Sequence, residues 1–343
     1  MNYRLLRYAV GMSVAMLALT AANLMAGSEY IPANEVWGIL SGNSSSNESW
    51  QFIVREIRLP QIVTAILCGA SLATSGLMLQ TAFRNPLAGP SVFGITNGAG
   101  VGVALVMLLF GGTLSTELLS LNGFMAVLAA AFAGAMTVTA VIFLFSTIVR
   151  NNVMLLIIGI MVGYLSSSVI SLLNFSATEE GVRSYMIWGM GSFANVSMAQ
   201  LPIFAIAATV GLVYALLMIK PLNTLLLGEQ YAENLGMNMR RTRNLLLIVT
   251  GMLTATATAF CGPVAFIGLA VPHITRLLLR TENHRSLLPL TMLTGSTIAL
   301  LCNLVSTLPG EAGIIPLNAV TPLIGAPVII YVIISKKVEK LKG

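Results

Sequence analysis

The longest polar stretch of this chain is Gly228-Glu-Gln-Tyr-Ala-Glu-Asn-Leu-Gly-Met-Asn-Met-Arg-Arg-Thr-Arg243, which interrupts a sequence that is otherwise almost continuously apolar. Glu229, Ala232 and Leu235 recur at helical spacing, and Gly236 breaks the run before a second segment. The pattern predicts two short helices between two apolar runs.

The composition places the chain in a membrane. Of its 343 residues 56% are hydrophobic and only 9% are charged, whereas an ordinary soluble domain is about 25% charged. The net charge of +6 could suggest nucleic acid, but proteins that read nucleic acid carry clustered Lys and Arg on a folded face. Here the bases lie between apolar runs, as the positive-inside rule describes. We therefore predict an all-α polytopic membrane protein that contacts lipid and no nucleic acid.

Apolar runs long enough for a helix to cross a bilayer, about 20 residues each, predict about ten transmembrane spans. The first run follows Arg4 and Arg7, but at about 19 residues it is longer than the apolar part of a signal peptide, so we keep it as a span. The third and eighth spans are the least regular, because both are short or interrupted by glycine and open with Gly-Pro. The predicted spans are about 8–26, 60–82, 91–110, 122–146, 153–173, 201–219, 245–261, 264–279, 287–306 and 320–335.

Positive charge sets the predicted orientation. With the N-terminus inside and ten spans, fifteen of the 18 Lys and Arg residues lie inside, and only Arg55, Arg58 and Arg183 lie outside. Removing one span would invert every later loop, so this asymmetry supports both the number and the direction of the spans. Both termini are then predicted to be cytoplasmic. The inner residues are Arg4, Arg7, Arg84, Arg150, Lys220, Arg240, Arg241, Arg243, Arg276, Arg280, Arg285, Lys336, Lys337, Lys340 and Lys342.

A short motif recurs on opposite sides of the predicted membrane. Gly89-Pro-Ser-Val-Phe-Gly-Ile95 follows span two, and Gly262-Pro-Val-Ala-Phe-Ile-Gly-Leu269 follows span seven. An odd number of spans separates the copies, so they predict an inverted repeat of spans 2–5 and 7–10, a common construction in transporters. The preference of proline for the first turn of a helix explains the Gly-Pro pairs, but not the shared residues that follow them. The turns of the repeat are assigned to Asn85, Pro86, Gly89, Pro90, Gly262 and Pro263.

The chain carries no evident energy source of its own. All 12 acidic residues are glutamates and none is predicted at the middle of a span, whereas ion-coupled carriers generally keep ionisable groups within the bilayer. Sodium sites made of backbone and hydroxyl oxygens stay open as an alternative. The sequence has no Gly-Lys-Ser/Thr, hence no Walker A loop for hydrolysing nucleotide. If the protein pumps, another chain supplies the energy.

Enzymatic and metal sites are not indicated either. His273 and His284 lack HExxH spacing or a neighbouring carboxylate pair, and we interpret His273 as a packing or backbone-bonding residue. Cys68, Cys261 and Cys302 lie in or at the edge of apolar runs without CxxC or Cys/His spacing, which is typical of buried thiols. The sequence predicts no catalytic residue, no metal site and no enzyme activity in this chain.

Two groups of polar residues each permit two interpretations. Arg55 and Arg58 lie three residues apart before span two, so a helix would point them the same way. They either anchor the span at the lipid headgroups or dock acidic residues of an outer partner. Span five carries serine hydroxyls that either bond back to their own helix or line a pathway. These serines are Ser166, Ser167, Ser168 and Ser171.

From about residue 50 onward, the chain resembles the membrane subunits of the FecCD type, which belong to ABC importers for iron-siderophores, haem and vitamin B12. Each motif is short, but their order and spacing together are specific. The motifs are Arg58-Leu-Pro-Gln, Gly69-Ala-Ser-Leu-Ala-Thr-Ser-Gly76, Gln80, Asn85-Pro-Leu-Ala88, Pro90, Gly94, Asn97-Gly-Ala-Gly100, Trp188-Gly-Met-Gly-Ser192, Leu227-Gly-Glu229, Ala232, Leu235-Gly236, Gly262-Pro263, Phe266-Ile-Gly-Leu269, Pro272-His273, Leu288-Pro289 and Gly325-Ala-Pro327.

The resemblance implies one transmembrane permease domain over residues 1–343 with the type II ABC importer permease fold, located in the bacterial inner membrane. It implies a homodimer around a pathway that span five partly lines. Two cytoplasmic ABC ATPases, which hold ATP and Mg²⁺, would dock on a coupling loop at 221–243, and this chain would bind no cofactor itself. A substrate-binding protein would dock outside at Arg55 and Arg58. The implied coupling residues are Gly228, Glu229, Ala232, Leu235 and Gly236.

The activity implied is ATP-driven import of an iron chelate by alternating access, with an iron-siderophore complex first and vitamin B12 or haem as alternative substrates. A gradient-driven secondary transporter is the alternative of another class. One segment departs from the family's usual Leu-Pro-Val-Gly-Ile-Val-Thr-Ala, reading Ile315-Pro-Leu-Asn-Ala-Val-Thr-Pro322 here. No arginine lies between Arg285 and Lys336, so the outer mouth is less basic than the resemblance implies.

Overall fold

A computed structural model describes residues 3–27, 29–42, 47–109, 117–149, 152–308 and 313–342. Within these ranges the regular structure is helical, with one π-helical stretch at Ile53–Arg58, one 3₁₀ turn at Phe193–Asn195 and no strand. The α-helices are α1 Tyr3–Met25, α2 Ala33–Leu40, α3 Glu48–Phe52, α4 Leu59–Ala82, α5 Ile95–Leu109, α6 Glu117–Ile148, α7 Asn152–Ser176, α8 Glu179–Gly189, α9 Leu201–Leu217, α10 Ile219–Leu226, α11 Glu229–Asn234, α12 Met239–Cys261, α13 Ile267–Leu279, α14 His284–Thr307 and α15 Leu317–Lys342.

Each predicted span corresponds to one apolar helix. Six helical segments are long and apolar enough to cross a membrane, and α9 with α10, bent by 46°, makes a seventh if the pair counts as one span. The shorter apolar helices α5, α13 and α15 occupy the third, eighth and tenth predicted spans. The third and eighth are short because irregular turns precede them, so that α5 begins only at Ile95 and α13 at Ile267. The protein is an all-α polytopic membrane protein, as predicted.

Helix α4 is the centre of the body. Twenty of its 24 residues are buried, so it has little surface left for lipid, and it packs against α9, α12, α13 and α14. Two of these contacts are backbone to backbone. A Cβ added to Gly76 would lie 1.6 Å from the carbonyl oxygen of Gly268, and one added to Gly69 would lie 2.3 Å from that of Gly295. Only glycine lets helices approach this closely.

A second close crossing joins α5 to α6. A Cβ on Gly102 would lie 1.9 Å from the carbonyl oxygen of Ala130, and one on Gly134 would lie 2.1 Å from that of Gly98. Small residues therefore set the separation of neighbouring helices in the first repeat as they do around α4.

The two repeat copies begin their second helix after a left-handed residue. Gly94 (φ 72°) precedes α5, and Phe266 (φ 64°) precedes α13. Glycine adopts this conformation freely, whereas a bulky residue there costs on the order of 1–3 kcal/mol. Phe266 is held in place by close packing on α15, where a Cβ on Gly325 would lie 2.8 Å from the Phe266 Cβ.

A buried amide cluster fixes α1 to the body. Gln61 Nε2 donates to Asn303 Oδ1 at 2.9 Å, and Asn303 Nδ2 donates to Asn23 Oδ1 at 2.8 Å. Asn23 Nδ2 in turn donates to the carbonyl oxygen of Leu300 at 3.1 Å. Unpaired amides in an apolar interior cost several kcal/mol, so this chain of bonds favours one register of α1, α4 and α14.

Candidate coupling site and translocation surface

The polar stretch that interrupts the apolar sequence forms one short helix rather than two. It folds as α11, Glu229–Asn234, followed by α12. The predicted second short helix, Met237–Arg243, is wrong, because its residues form the cap and first turns of α12. The Asn238 side chain caps α12 by accepting from the backbone N–H of Arg241 at 3.0 Å, and no helix-breaking residue follows. The other short helix is α10, which turns away from α9 ahead of the stretch.

Glycines bound α11 on both sides. Gly228 has φ 117° and Gly236 has φ 84°, values that glycine adopts at least cost. A Cβ on Gly236 would meet no atom within 4 Å, so the backbone conformation alone calls for glycine there. Between them Ala232 is fully buried. Its N–H donates to the Gly228 carbonyl at 2.9 Å and its carbonyl accepts from the Met237 N–H at 3.0 Å, so the backbone of Ala232 is bonded to both ends of the α11 segment.

The exposed surface of α11 carries both apolar and charged side chains. Leu227, Tyr231 and Leu235 are each more than half exposed. Glu229 forms an ion pair with Arg243 at 3.4 Å, in which the Glu229 side chain is 38% exposed. The structure thus places all five sequence-predicted coupling residues in or beside one short helix, and it adds Arg243, which charge counting had assigned to topology alone.

Arg84, at the end of α4, is the contact that sequence reasoning missed. Its Nη2 donates to the carbonyl oxygen of Leu225, the penultimate residue of α10, at 2.9 Å. A Cβ on Gly228 would lie 3.3 Å from the same Nη2 atom, and Arg84 and α11 together line an open groove of about 550 Å³. Arg84 directly precedes the motif at Asn85-Pro86, and this position could have indicated a contact beyond the membrane topology. Charge counting assigned Arg84 to topology alone.

Two further bonds tie α13 to α4 and to the loop that follows α4. His273 Nε2 lies 2.7 Å from the carbonyl oxygen of Pro86, which confirms the predicted backbone-bonding role of His273. Gln80 Oε1 accepts from Arg276 Nη1 at 2.5 Å, and Arg276 Nε donates to Glu282 at 3.1 Å. These groups line a cavity of about 230 Å³.

Helix α10 is also bonded to α14. Asn223 Oδ1 accepts from the backbone N–H of His284 at 2.8 Å, and the Asn223 amide donates to Asn283 at 3.0 Å. On the other side of the imidazole, His284 Nε2 lies 2.9 Å from Thr81 Oγ1 of α4. The segment formed by α10 and α11, here called the coupling segment, is therefore bonded to α14 and to Arg84 after α4. Through the loop at Pro86 it is connected to α13.

The two predicted docking arginines bond to different segments and differ in burial. They lie in the π-helical stretch, whose turns are wider than those of an α-helix, so the α-helical spacing argument does not hold. Arg58 is only 5% exposed, and its guanidinium donates to the carbonyl oxygens of Leu24, at 2.6 Å, and Glu29. It satisfies carbonyl groups at the end of α1. Arg55 is half-buried and donates to the carbonyl oxygen of Ile39 at 2.8 Å.

Every predicted pathway serine bonds back to its own helix. The hydroxyls of α7 donate to the carbonyl four residues earlier, at 2.9–3.1 Å, as serines in membrane helices commonly do. Ser166 is buried, while the other three lie on an exposed surface beside Tyr164, Leu165 and Phe175. The three exposed serines are Ser167, Ser168 and Ser171.

Comparison with known proteins identifies the family. The model of the FecCD transport family matches residues 15–335, nearly the whole chain. The chain belongs to the FecCD transport family. It is accordingly the permease subunit of an ABC importer, in which ATP hydrolysis belongs to a separate subunit.

Two curated relatives and one solved structure each match nearly the whole chain. The vitamin B12 import system permease protein BtuC of Klebsiella pneumoniae subsp. pneumoniae is 34% identical over 331 residues, which cover 96% of this chain and 94% of that protein. The protein of the same name from Salmonella arizonae is 34% identical over 332 residues, covering 97% and 95%. A structure of an inward-facing metal-chelate type ABC transporter superposes with a TM-score of 0.81 at 32% identity, over 95% of this chain and 98% of that one.

Proposed function

We propose that this permease imports a bulky metal chelate. The observation that carries the proposal is the exposed face of α7, which combines aliphatic, aromatic and hydroxyl side chains, while the helix sequence Asn152–Ser176 contains no charged residue. Such a surface lets a large ligand slide past without holding it by an ion pair. Recognition of the ligand then belongs to a separate binding protein.

Vitamin B12 and an iron-siderophore complex are the two candidate substrates. The relatives that are 34% identical are vitamin B12 permeases, which favours the first. The matching structure is a metal-chelate type transporter, which favours the broader class to which the second also belongs. At 32–34% identity neither comparison selects between them, so the experiment below uses both.

The proposed assembly is a homodimer with the pathway at its axis. Residues at helical spacing on α7 stay at least half exposed in the single chain, and a second copy would place an equivalent face opposite them. The pathway would then run between the two α7 helices and the neighbouring α8 helices. The exposed α7 residues are Met154, Ile157, Met161, Tyr164, Leu165, Leu172 and Phe175.

Two ABC ATPases are proposed to dock on α10 and α11. The exposed Leu227, Tyr231 and Leu235 would form the apolar part of that interface, and Glu229 its charged part. Movement of the ATPases on binding ATP would displace this segment, and the bond from Arg84 to Leu225 would carry the displacement to α4 and α13. Alternating access of the axial pathway would follow. ATP and Mg²⁺ would remain on the ATPases.

On the outer side, an extracytoplasmic binding protein is proposed to dock near Arg55, with both chain termini in the cytoplasm and the protein in the bacterial inner membrane. Arg58 is not part of this proposal, since it is only 5% exposed, whereas Arg55, although bonded to Ile39, is only half-buried. The charge asymmetry of the loops supports the orientation.

Reconstitution tests the proposal. The permease, its ATPase and its binding protein are placed in liposomes, and uptake of radiolabelled vitamin B12 and of a radiolabelled ferric siderophore is measured with and without ATP. ATP-dependent uptake of either chelate supports the proposal and names the substrate. Uptake that persists without ATP and collapses with an ionophore would instead establish the gradient-driven alternative.

A further inference from the structure

One amide side chain joins three segments at the predicted outer end of the body. Asn318, in the first turn of α15, donates from Nδ2 to the carbonyl oxygens of Gly189 at 3.0 Å and Pro263 at 2.7 Å. Its Oδ1 accepts from the backbone N–H of Ala265 at 3.0 Å. Its own backbone N–H donates to the Met190 carbonyl at 3.2 Å. Both amide hydrogens and the amide oxygen thus have partners.

These partners fix the orientation of the amide and the residue type. Two carbonyl oxygens face the Nδ2 atom and one N–H faces Oδ1, so a flipped amide would place oxygen against oxygen. An aspartate at this position would keep the acceptor for Ala265 but would have no donor for Gly189 or Pro263. An alanine would leave all three backbone groups without this partner.

The bonds of Asn318 cap the end of α8. The carbonyls of Gly189 and Met190 lie at the C-terminus of that helix, where the last carbonyl groups have no donor within the helix. The same turn rests on the turn between α12 and α13. Ser192 N–H donates to the Cys261 carbonyl at 2.8 Å, and a Cβ on Gly262 would lie 2.5 Å from the Trp188 carbonyl oxygen. Asn318 is therefore the side chain that ties this pair of turns to α15.

The opposite face of α8 is open. Met186 and Ile187 are each 60% exposed, and Met190 is 44% exposed. They line an open groove of about 560 Å³, whose lining nearer the start of α8 also includes Glu179 and Arg183. The position of this apolar wall depends on where the end of α8 is held, because the helix is only 11 residues long and its last turn carries Met186 and Ile187.

We propose that Asn318 is a positioning residue for transport: its three amide bonds hold the end of α8, and with it the wall formed by Met186, Ile187 and Met190, against the turn between α12 and α13. The proposal rests on the proposed function, in which α8 borders the substrate pathway. Asn318 touches no substrate itself; it sets the place of the side chains that border the pathway.

Two substitutions of Asn318 distinguish the loss of its hydrogen bonds from added electrostatic repulsion. Asn318→Ala removes all three side-chain bonds without adding repulsion. Asn318→Asp places a carboxylate oxygen against two carbonyl oxygens and has the larger effect. Thr321→Ala is the control, because Thr321 lies one turn further along α15 and its hydroxyl donates to the Leu317 carbonyl of the same helix, at 3.1 Å, rather than to another segment. Asn318→Ser serves if either main variant fails to assemble.

The first measurement is amide hydrogen exchange on the full-length permease in lipid nanodiscs. Loss of hydrogen bonds at buried backbone groups accelerates local exchange by about tenfold or more. We expect this in peptides covering 186–194 and 261–268 for both Asn318 variants, with Thr321→Ala matching the unsubstituted protein. Unchanged exchange in both peptides would contradict the proposal that Asn318 holds the end of α8 against the turn between α12 and α13. This outcome does not depend on which substrate is carried, so it is distinguishable from failure of the proposed function.

The second measurement is ATP-driven uptake by the assembled complex. Asn318→Ala is expected to lower the maximal uptake rate severalfold at saturating loaded binding protein, with the affinity for that protein unchanged. A full maximal rate together with loosened turns would overturn the positioning role. If the unsubstituted complex transports neither chelate, the proposed function fails, while the exchange result still decides whether Asn318 holds α8.

Discussion

Arg84 and Leu225 are joined by a hydrogen bond of 2.9 Å from the guanidinium Nη2 to the carbonyl oxygen. Leu225 lies near the end of α10 in the coupling segment, and Arg84 lies where α4 passes into the first repeat turn. Pro86, two residues further on, is bonded to His273 of α13. A displacement of α10 and α11 therefore has a short bonded route to both halves of the inverted repeat.

Replacing Arg84 tests that route. Arg84→Ala removes a bond from an exposed guanidinium that contributes about 1 kcal/mol, so we expect substrate moved per ATP hydrolysed to fall about fivefold. Uptake and phosphate release are measured on the same proteoliposomes. Arg285→Ala, which removes an exposed arginine of the same predicted side, is the control and is expected to keep the ratio. An unchanged ratio in Arg84→Ala would remove Arg84 from the coupling route.

The conformation of Gly236 gives a test of α11 that involves no lost contact. Gly236→Ala forces a side chain into φ 84° where no atom lies within 4 Å, at a cost of about 1 kcal/mol. We expect the ATPase to bind about fivefold more weakly in titrations with detergent-solubilised permease. Gly11→Ala, also with open space around it but with no left-handed backbone, is expected to bind normally. Equal affinity for both variants would contradict a fixed α11.

Reversing the charges of the Glu229–Arg243 ion pair shows whether Glu229 only orients α11 or also contacts the ATPase. The pair is partly exposed, and such pairs contribute about 0–1 kcal/mol, so Glu229→Arg should leave the melting temperature nearly unchanged but weaken ATPase association. In the double variant Glu229→Arg with Arg243→Glu the pair is restored with reversed charges. We expect ATPase association to stay weak. Full rescue by the double variant would mean that Glu229 only orients α11.

The outer arginines are expected to differ in what they do. Arg58→Ala leaves the carbonyl groups at the end of α1 without a donor, so we expect lower thermal stability and lower yield of folded permease. Arg55→Glu removes the single hydrogen bond to the Ile39 carbonyl, so we expect a smaller loss of stability, about 1 kcal/mol, together with weaker docking of the binding protein, most at low ionic strength, where charge interactions are least screened. Unchanged docking affinity at low salt would return Arg55 to lipid anchoring.

The apolar runs and the bases between them were sufficient to predict ten apolar helices and their order, because both signals are local in sequence. The three cysteines are buried free thiols, as expected from their apolar surroundings. Motif spacing also located helix α11, the proposed coupling element, since Gly228 and Gly236 lie on either side of it.

The contacts that give these elements a function were not predictable in the same way. Asn318 bonds to carbonyls 129 and 55 positions away in the chain, and nothing in the residues around it signals either partner. Arg55 bonds to Ile39 of α2, whereas Arg58 bonds to Leu24 of α1 and to Glu29 beyond it, and only Arg58 is buried. These partners lie 16 to 34 positions away in the chain, so the local spacing of the two arginines could not predict them.

If energy enters through α10 and α11, the ATPase must lie against Tyr231 in the assembled complex, and photocrosslinking from that position shows whether it does. A photoreactive amino acid replaces Tyr231, which is 56% exposed on α11, and as a control replaces Trp37, which is 74% exposed on α2. After illumination of the assembled complex, crosslinked chains are identified by mass spectrometry. We predict that position 231 crosslinks to the ATPase with a yield that changes on adding ATP, and that position 37 does not crosslink to it. Crosslinks from position 231 to lipid or to a second permease copy alone would contradict the entry of energy through α10 and α11.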